Sequence, residues 1–372
     1  MQSDVVPIGR LWNSIQHELF PELEEALGNL TDKEKAFIRV CELCAESLRK
    51  EIGQYEWQGL GRPSAERLAV AKAFIAKAVY AQPTTKALIE YLHGAPTLRR
   101  LCGWEREDEI PSEATFSRCF GEFAQVKLSE KIHEAVVKAY EGTRLVGHVS
   151  RDATAIEARE HAVKKEEPAG PAEEKPVPKR GRPRAEETRE PKAEKRLERQ
   201  VRQILEDNLS ELPKVCDWGC KRDSNGKRIM WKGFKLHLDV ADGDIPISAV
   251  LTSASLHDSQ AAIPLAQMSA TRATNLYDLM DAAYDAQEIR QYSARLGHVA
   301  IIDRNARGGD AVPMAPAEAR RYNERSSAER VFSHLEHYGA YAIYVRGTAK
   351  VMCHLMFALL ALTAHQLYQL IV

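Results

Sequence analysis

Residues 229–255 constrain the fold more than any other stretch. Two alternating runs, IMWKGFKLHLDVAD (229–242) and IPISAVLTSAS (245–255), flank an Asp242-Gly243 turn and predict a pair of antiparallel strands. Everything before about residue 140 has the other periodicity. ERLAVAKAFIAKAVY (66–80) spaces its apolar residues for a helix, and TTKALIEYLHG (84–94) predicts a second that stops at Gly94. Pro111-Ser112-Glu113 opens a third, with Ser112 as N-cap, and VKLSEKIHEAVVKAYEG a fourth. Beyond the strand pair come a helix (258–269), a strand (275–281), a helix (285–296) and a short strand (298–303), then a loop and a helix from about Asn323. The expectation is an α/β chain: an all-helical region over 1–145, then a mixed-sheet domain over 146–372. The helical region suits a helix-turn-helix-like DNA-binding module and a plain bundle equally.

One segment fits neither period. Lys164 to Arg202 holds 13 Lys/Arg against 9 Asp/Glu and almost no large apolar residue before Leu197. Such a stretch buries too little to offset its ordering entropy. Residues 160–205 therefore read as a charged, mostly disordered insertion, helical toward its end. The whole chain carries a formal charge of −1, so any basic surface must be local. Its seven cysteines are odd in number and follow no secretory signal, which suits reduced thiols in the cytoplasm. Cys41-x-x-Cys44 and Cys216-x-x-x-Cys220 make a poor zinc ribbon, and buried thiols are the better reading. The apolar run Leu355–Ala364 is far shorter than the roughly 20 residues that span a bilayer, so a buried helix and no membrane contact are expected.

Three acids stand in informative places. Asp152 is predicted to end a strand (HVSRD), ahead of Ala153 and Thr154. Asp281 ends NLYDLMD, ahead of Ala282-Ala283-Tyr284. Glu329 falls on the last predicted helix, 48 positions later. The small neighbours leave room beside each strand-end carboxylate. Two acids on adjacent strand ends and a third on a nearby helix can meet, and an all-oxygen set suits hard cations. Ordinary roles compete: a strand-end Asp caps turns, Ser326-x-x-Glu329 reads as a capping box, and Asp278 rivals Asp281. Tyr322, Arg325 and Glu329 share one helix face if the helix reaches back that far. Arg325 could then orient Glu329 or hold a DNA phosphate with both arms of its guanidinium.

At these residues the chain resembles the IS4/IS5-like bacterial insertion-sequence transposases. Tyr322, Arg325 and Glu329 match a Tyr-(2)-Arg-(3)-Glu-(6)-Lys signature, with Glu336 at the Lys position. Asp281-Ala282-Ala283-Tyr284-Asp285 matches Asp-x-Gly-Tyr-Asp, with Ala for Gly. Val149, Asp152 and Thr154 match Val-x-x-Asp-x-Thr. Ser255-Leu256-His257-Asp258-Ser259 and the upstream LIEYLHGAPTLRRLCGW…PSEATFSRCF also look like that family. The resemblance covers roughly residues 60–160 and 215–360. It implies an RNase H-like core in which Asp152, Asp281 and Glu329 bind two Mg²⁺ or Mn²⁺ ions and carry the chemistry. The implied substrate is double-stranded DNA: terminal inverted repeats that are cut, and target DNA into which the ends are joined. Synapsis of two ends implies a homodimer or a larger assembly. A nuclease of the same fold that cleaves without joining, and a catalytically silent DNA-binding relative, remain as alternatives.

Other residues bear on DNA. Lys179-Arg180-Gly181-Arg182-Pro183-Arg184 resembles an AT-hook core, and an extended Arg-Gly-Arg can enter a narrow minor groove. A solvated basic linker is the competing reading. His257 and Asp258 could support the acids or simply start a helix, and His237 and His354 read as structural. Trp218 and Trp231 are expected in the core. Arg346 and Lys350, downstream of Glu329, could touch phosphate or face solvent.

Overall fold

The computed structural model describes residues 7–53, 66–163, 194–222, 226–305 and 313–371. Eight helices come first: α1 (Ile8–Ser14), α2 (Phe20–Leu27), α3 (Asp32–Ile52), α4 (Arg67–Val79), α5 (Thr85–Gly94), α6 (Pro96–Cys102), α7 (Glu113–Gln125) and α8 (Leu128–Glu141). Their starts obey local chemistry. Thr31 and Glu34 form a reciprocal capping box on α3, and the Thr84 hydroxyl accepts the Ala87 N–H on α5. Ser112 does stand at the α7 N-cap, but its hydroxyl turns to Thr115 Oγ1 rather than to a backbone N–H.

The sheet has six strands: β1 (Leu145–Glu157), β2 (Asp217–Arg222), β3 (Arg228–Ala241), β4 (Ile245–Ser253), β5 (Thr274–Met280) and β6 (Val299–Ile302). β3 pairs antiparallel with β1 and β4, and its outer end pairs with β2. β1, β5 and β6 run parallel. The expected strand pair is β3–β4, with Gly243 (φ +85°) and Asp244 (φ +58°) turning between them. α9 (Arg196–Gln200), α10 (Leu205–Glu211), α11 (Ala262–Ala270) and α12 (Gln287–Arg295) follow in chain order, then α13 (Pro316–Tyr322), α14 (Ser326–His334) and α15 (Thr348–Gln369).

The sheet is covered on both faces. Phe234, Leu236, Leu238 and Val240 alternate along β3 and pack on α14 and α15. α11 and α12 bury Ile263, Ile289 and Tyr292 with Met280 and Ile302 on the opposite side. A further apolar cluster runs from α3, α4, α7 and α8 through α15 to Val146, Val149 and Ile245, so the helical region and the sheet share buried contacts. α15 contains the apolar run and is long and apolar enough to cross a membrane, but most of it is buried in this core.

Several expectations are revised. β1 does not end at Asp152; it continues to Glu157, because β3 pairs with it as far as Gly233. β2 was not foreseen in DWGCKR, which lacks apolar alternation because it sits at an exposed rim. Trp218 there is 54% exposed, whereas Trp231 is buried, its Nε1 donating to the Phe234 carbonyl. Cys220 on β2 is exposed and the other six thiols are buried. The last acid-bearing helix begins earlier than Asn323, as α13, and is broken by a 3-10 turn at Asn323–Arg325 before α14. Of the charged insertion, α9 confirms helix near its end, while 164–193, with Lys179, Arg180, Arg182 and Arg184, lie outside the described residues.

Candidate active site

The register of the parallel pair decides where the first two acids sit. Arg151 on β1 lies opposite Met280 on β5, so the next residue on each chain is an acid, Asp152 and Asp281. Asp152 is therefore not at a strand end, but it is where β1 loses its parallel neighbour. Side chains alternate along β1. Arg151 turns into the α11 side, where its guanidinium clamps the Asp239 carboxylate at 2.7 and 2.8 Å. Asp239 also accepts the Ser269 hydroxyl at 2.6 Å. Ser150 and Asp152 point the other way, toward the α13–α14 junction. The Ser150 hydroxyl donates to the Arg325 carbonyl at 2.6 Å, which fastens that junction to β1.

Arg325 then joins the first acid to the third. Its Nη1 is 3.6 Å from Asp152 Oδ2 and its Nη2 is 2.6 Å from Glu329 Oε1. One guanidinium spans the gap, so the two carboxylates are within roughly 9 Å of each other. The Tyr322 ring lies 5.7 Å from the same guanidinium. Glu329 is 55% exposed and makes no capping box; Ser326 instead donates to the Asn323 carbonyl. Asp278 is buried against Asn275 and His298, which removes it as a rival to Asp281.

The electrostatics of the two aspartates are unusual. Burial pushes the Asp152 carboxyl up to about 6, with Asp281 and Asp258 adding to the rise and the Ala153 N–H and Arg325 opposing it. Asp281 is raised by the same cause, and Asp258 adds to it. Each carboxylate accepts one backbone N–H, Asp152 from Ala153 at 2.7 Å and Asp281 from Ala283 at 2.9 Å. Asp281 thus does cap a turn, as the ordinary reading of such a residue has it, while remaining beside Asp152. His257 stands at the head of a 3-10 turn with Nδ1 at 2.8 Å from Ser259 Oγ, and Asp258 accepts from Lys235 Nζ at 2.8 Å. The buried Tyr284 hydroxyl, close to Asp258, Asp152 and Asp281, has no hydrogen-bond partner.

These features fit a hard divalent cation. The donors are all oxygen, the aspartates crowd like charges that a cation relieves, and an orphaned phenol is placed to meet bound water. The set is not closed, however. Among the described residues no three acids, histidines or cysteines lie near enough together to hold an ion, and Glu329 is paired with Arg325. Sequence reasoning gave no site role to Ser150, Lys235 or Tyr284. Ser150 had a signal in its position two residues before Asp152 on an alternating strand, and Tyr284 in its place in the motif that follows Asp281.

The strand order β4-β3-β1-β5-β6, with acids leaving neighbouring parallel strands, defines an RNase H-like mixed α/β core. A family model described as a transposase DDE domain matches residues 152–364, more than half of the chain, and the chain belongs to that family. A second, described as Transposase domain (DUF772), matches residues 26–122 in the helical region. No curated protein and no solved structure matches.

Proposed function

We propose that this DDE transposase, of the IS4/IS5-like kind, cleaves DNA at transposon ends and joins the freed ends to target DNA. The observation that supports this best is the β1–β5 register, which sets Asp152 and Asp281 side by side, with Arg325 linking Asp152 to Glu329. Asp152 and Asp281 would hold divalent cations, Mg²⁺ or Mn²⁺, and Glu329 would complete the set on leaving Arg325. Bound cations would supply the charge that steadies the attacking and leaving oxygens of a phosphodiester and make water or a 3′-hydroxyl a better nucleophile. Arg325, released from Glu329, would be free to pair with a DNA phosphate through its planar fork, beside Tyr322. Lys235 holds Asp258, and His257 caps the same turn, so this pair positions the rim of the site rather than the reacting atoms. The full chain would act as a dimer or larger assembly that brings two ends together.

Pre-cleaved transposon ends carrying a 3′-hydroxyl, incubated with plasmid target and Mg²⁺, test this reading. Joined product is expected, and Asp281→Asn should abolish it while DNA binding and the melting temperature persist. Cleavage without any joined product would point to a nuclease of the same fold. DNA binding with neither activity would point to a silent relative.

A further inference from the structure

A second feature of the molecule is a cleft where the helical region meets the C-terminal segment. Its volume is about 350 Å³. The end of α4, the start of α5, the first turns of α7, the chain just past β1 and the residues from 342 to the start of α15 surround it. Four cations line it: Lys77, Arg159, Arg346 and Lys350. One carboxylate, Glu113, shares the lining. Among the described residues none of the four makes an ion pair. Lys77 is the most telling. Burial without a counter-charge pushes its amine down to about 8. An unpaired amine held in a concave, basic place is costly unless an anion joins it.

We propose that this cleft is a phosphate site which grips the sugar–phosphate backbone of DNA at a distance from the catalytic acids. The inference rests on the transposase reading above and adds to it where the strand runs. Two facts favour a DNA backbone over a free anion. Arg159 lies seven residues beyond Asp152, just past the end of the strand that carries it, at most about 23 Å along an extended chain. That reach corresponds to roughly seven nucleotides of a stacked strand. Arg346 and Lys350 likewise follow the helix that carries Glu329, so one DNA strand can touch both places. The cleft is at the small end of pocket sizes, roughly 300–1,000 Å³, which suits one nucleotide's phosphate and sugar and excludes a whole duplex. Because α4, α5 and α7 supply one wall and the residues around α15 the other, a bound strand would tie the helical region to the catalytic core.

Binding of a non-specific duplex, without divalent cations, tests this in the full chain carrying Asp281→Asn. The slope of log affinity against log salt should become shallower by about 2 in Arg346→Ala/Lys350→Ala, since each lost phosphate contact removes about 0.9. Lys77→Met, which keeps the packing of the stem, should remove about one contact's worth while the melting temperature holds. Acylation of Lys77 at pH 8 should be suppressed by duplex and not by inorganic phosphate at the same phosphate concentration. An unchanged slope in the double variant overturns the cleft and leaves the transposase reading standing. Equal protection of Lys77 by inorganic phosphate, or none by duplex, overturns it too. A wild-type chain that binds no duplex overturns both.

Discussion

Asp152 is held in a place that favours its protonated form. Burial, with Asp281 and Asp258 close by, raises its carboxyl from 3.8 to about 6. A carboxyl whose pKa is higher folded than unfolded binds protons more tightly in the folded state, so its contribution to stability falls as pH climbs through that window. Above pH 6 the full penalty is present. Asp152→Asn removes the charge and should melt higher than wild type at pH 8 without divalent cations, by the equivalent of roughly 1–3 kcal/mol. Saturating Mg²⁺ should narrow the difference, because the cation relieves the wild-type charge, while the variant stays inactive. A variant that melts lower than wild type under metal-free conditions would show that the site is not strained by its own charge. Such strain is what a site shaped for a ligand rather than for stability displays. Arg151, one residue earlier, is the contrasting case: its bidentate clamp on Asp239 is buried and fully paired, and it anchors the strand.

Elements set how much of this was legible in sequence. β3 and β4 were readable because their alternation is strong and an Asp-Gly turn separates them. α4, α5, α7 and α8 were readable from apolar spacing and caps. β2 was not, since a rim strand with an exposed Trp218 and an exposed Cys220 has no apolar face to reveal it. The end of β1 was misjudged because Asp152 and the small residues after it resemble a turn, whereas pairing with β3 carries the strand onward. The three acids could be named from their settings, but the bridging by Arg325 could not, since it depends on a 3-10 break between α13 and α14. Gly233 shows how closely β1 and β3 approach. It has φ +154°, and a Cβ there would lie 2.1 Å from the Ile156 carbonyl oxygen. Gly233→Ala should therefore part the outer ends of the two strands, costing on the order of 2 kcal/mol or more in urea unfolding. Unchanged stability would mean that the pairing near Glu157 is loose enough to admit a Cβ.

Across the whole molecule, three histidines, His133 and His237 buried and His354 half-buried, shape the response to acid. Burial lowers His133 to about 3, His237 to about 4 and His354 to about 3. Each is neutral in the fold and hydrogen-bonded, to Thr363, Thr252 and the Gly339 carbonyl respectively. The unfolded chain takes up protons near pH 6.5 while the folded chain does not. Stability is thus complete above that pH and is lost below it, by up to about 1.4 kcal/mol per pH unit for each histidine. The raised carboxyls of Asp152, Asp281, Glu130 and Glu141 act in the opposite sense over the lower part of the range, while the lowered His365 adds to the histidine side. Thermal melts should drop steadily from pH 7 to pH 5; a flat or rising melting temperature would contradict the buried neutral state of these rings.

Glu329 is the acid whose role is least built into the resting fold, so it offers the sharpest test of convergence. Mn²⁺ binding to the chain with bound end DNA can be followed by electron paramagnetic resonance in wild type, Asp281→Asn and Glu329→Gln. Both substitutions should lower ion occupancy and abolish cleavage if, as proposed, the carboxylate on α14 joins the two aspartates once Arg325 lets it go. Glu329→Gln that binds Mn²⁺ and cuts DNA as wild type does would reduce this glutamate to a salt-bridge partner of Arg325, and the three-acid site would be refuted.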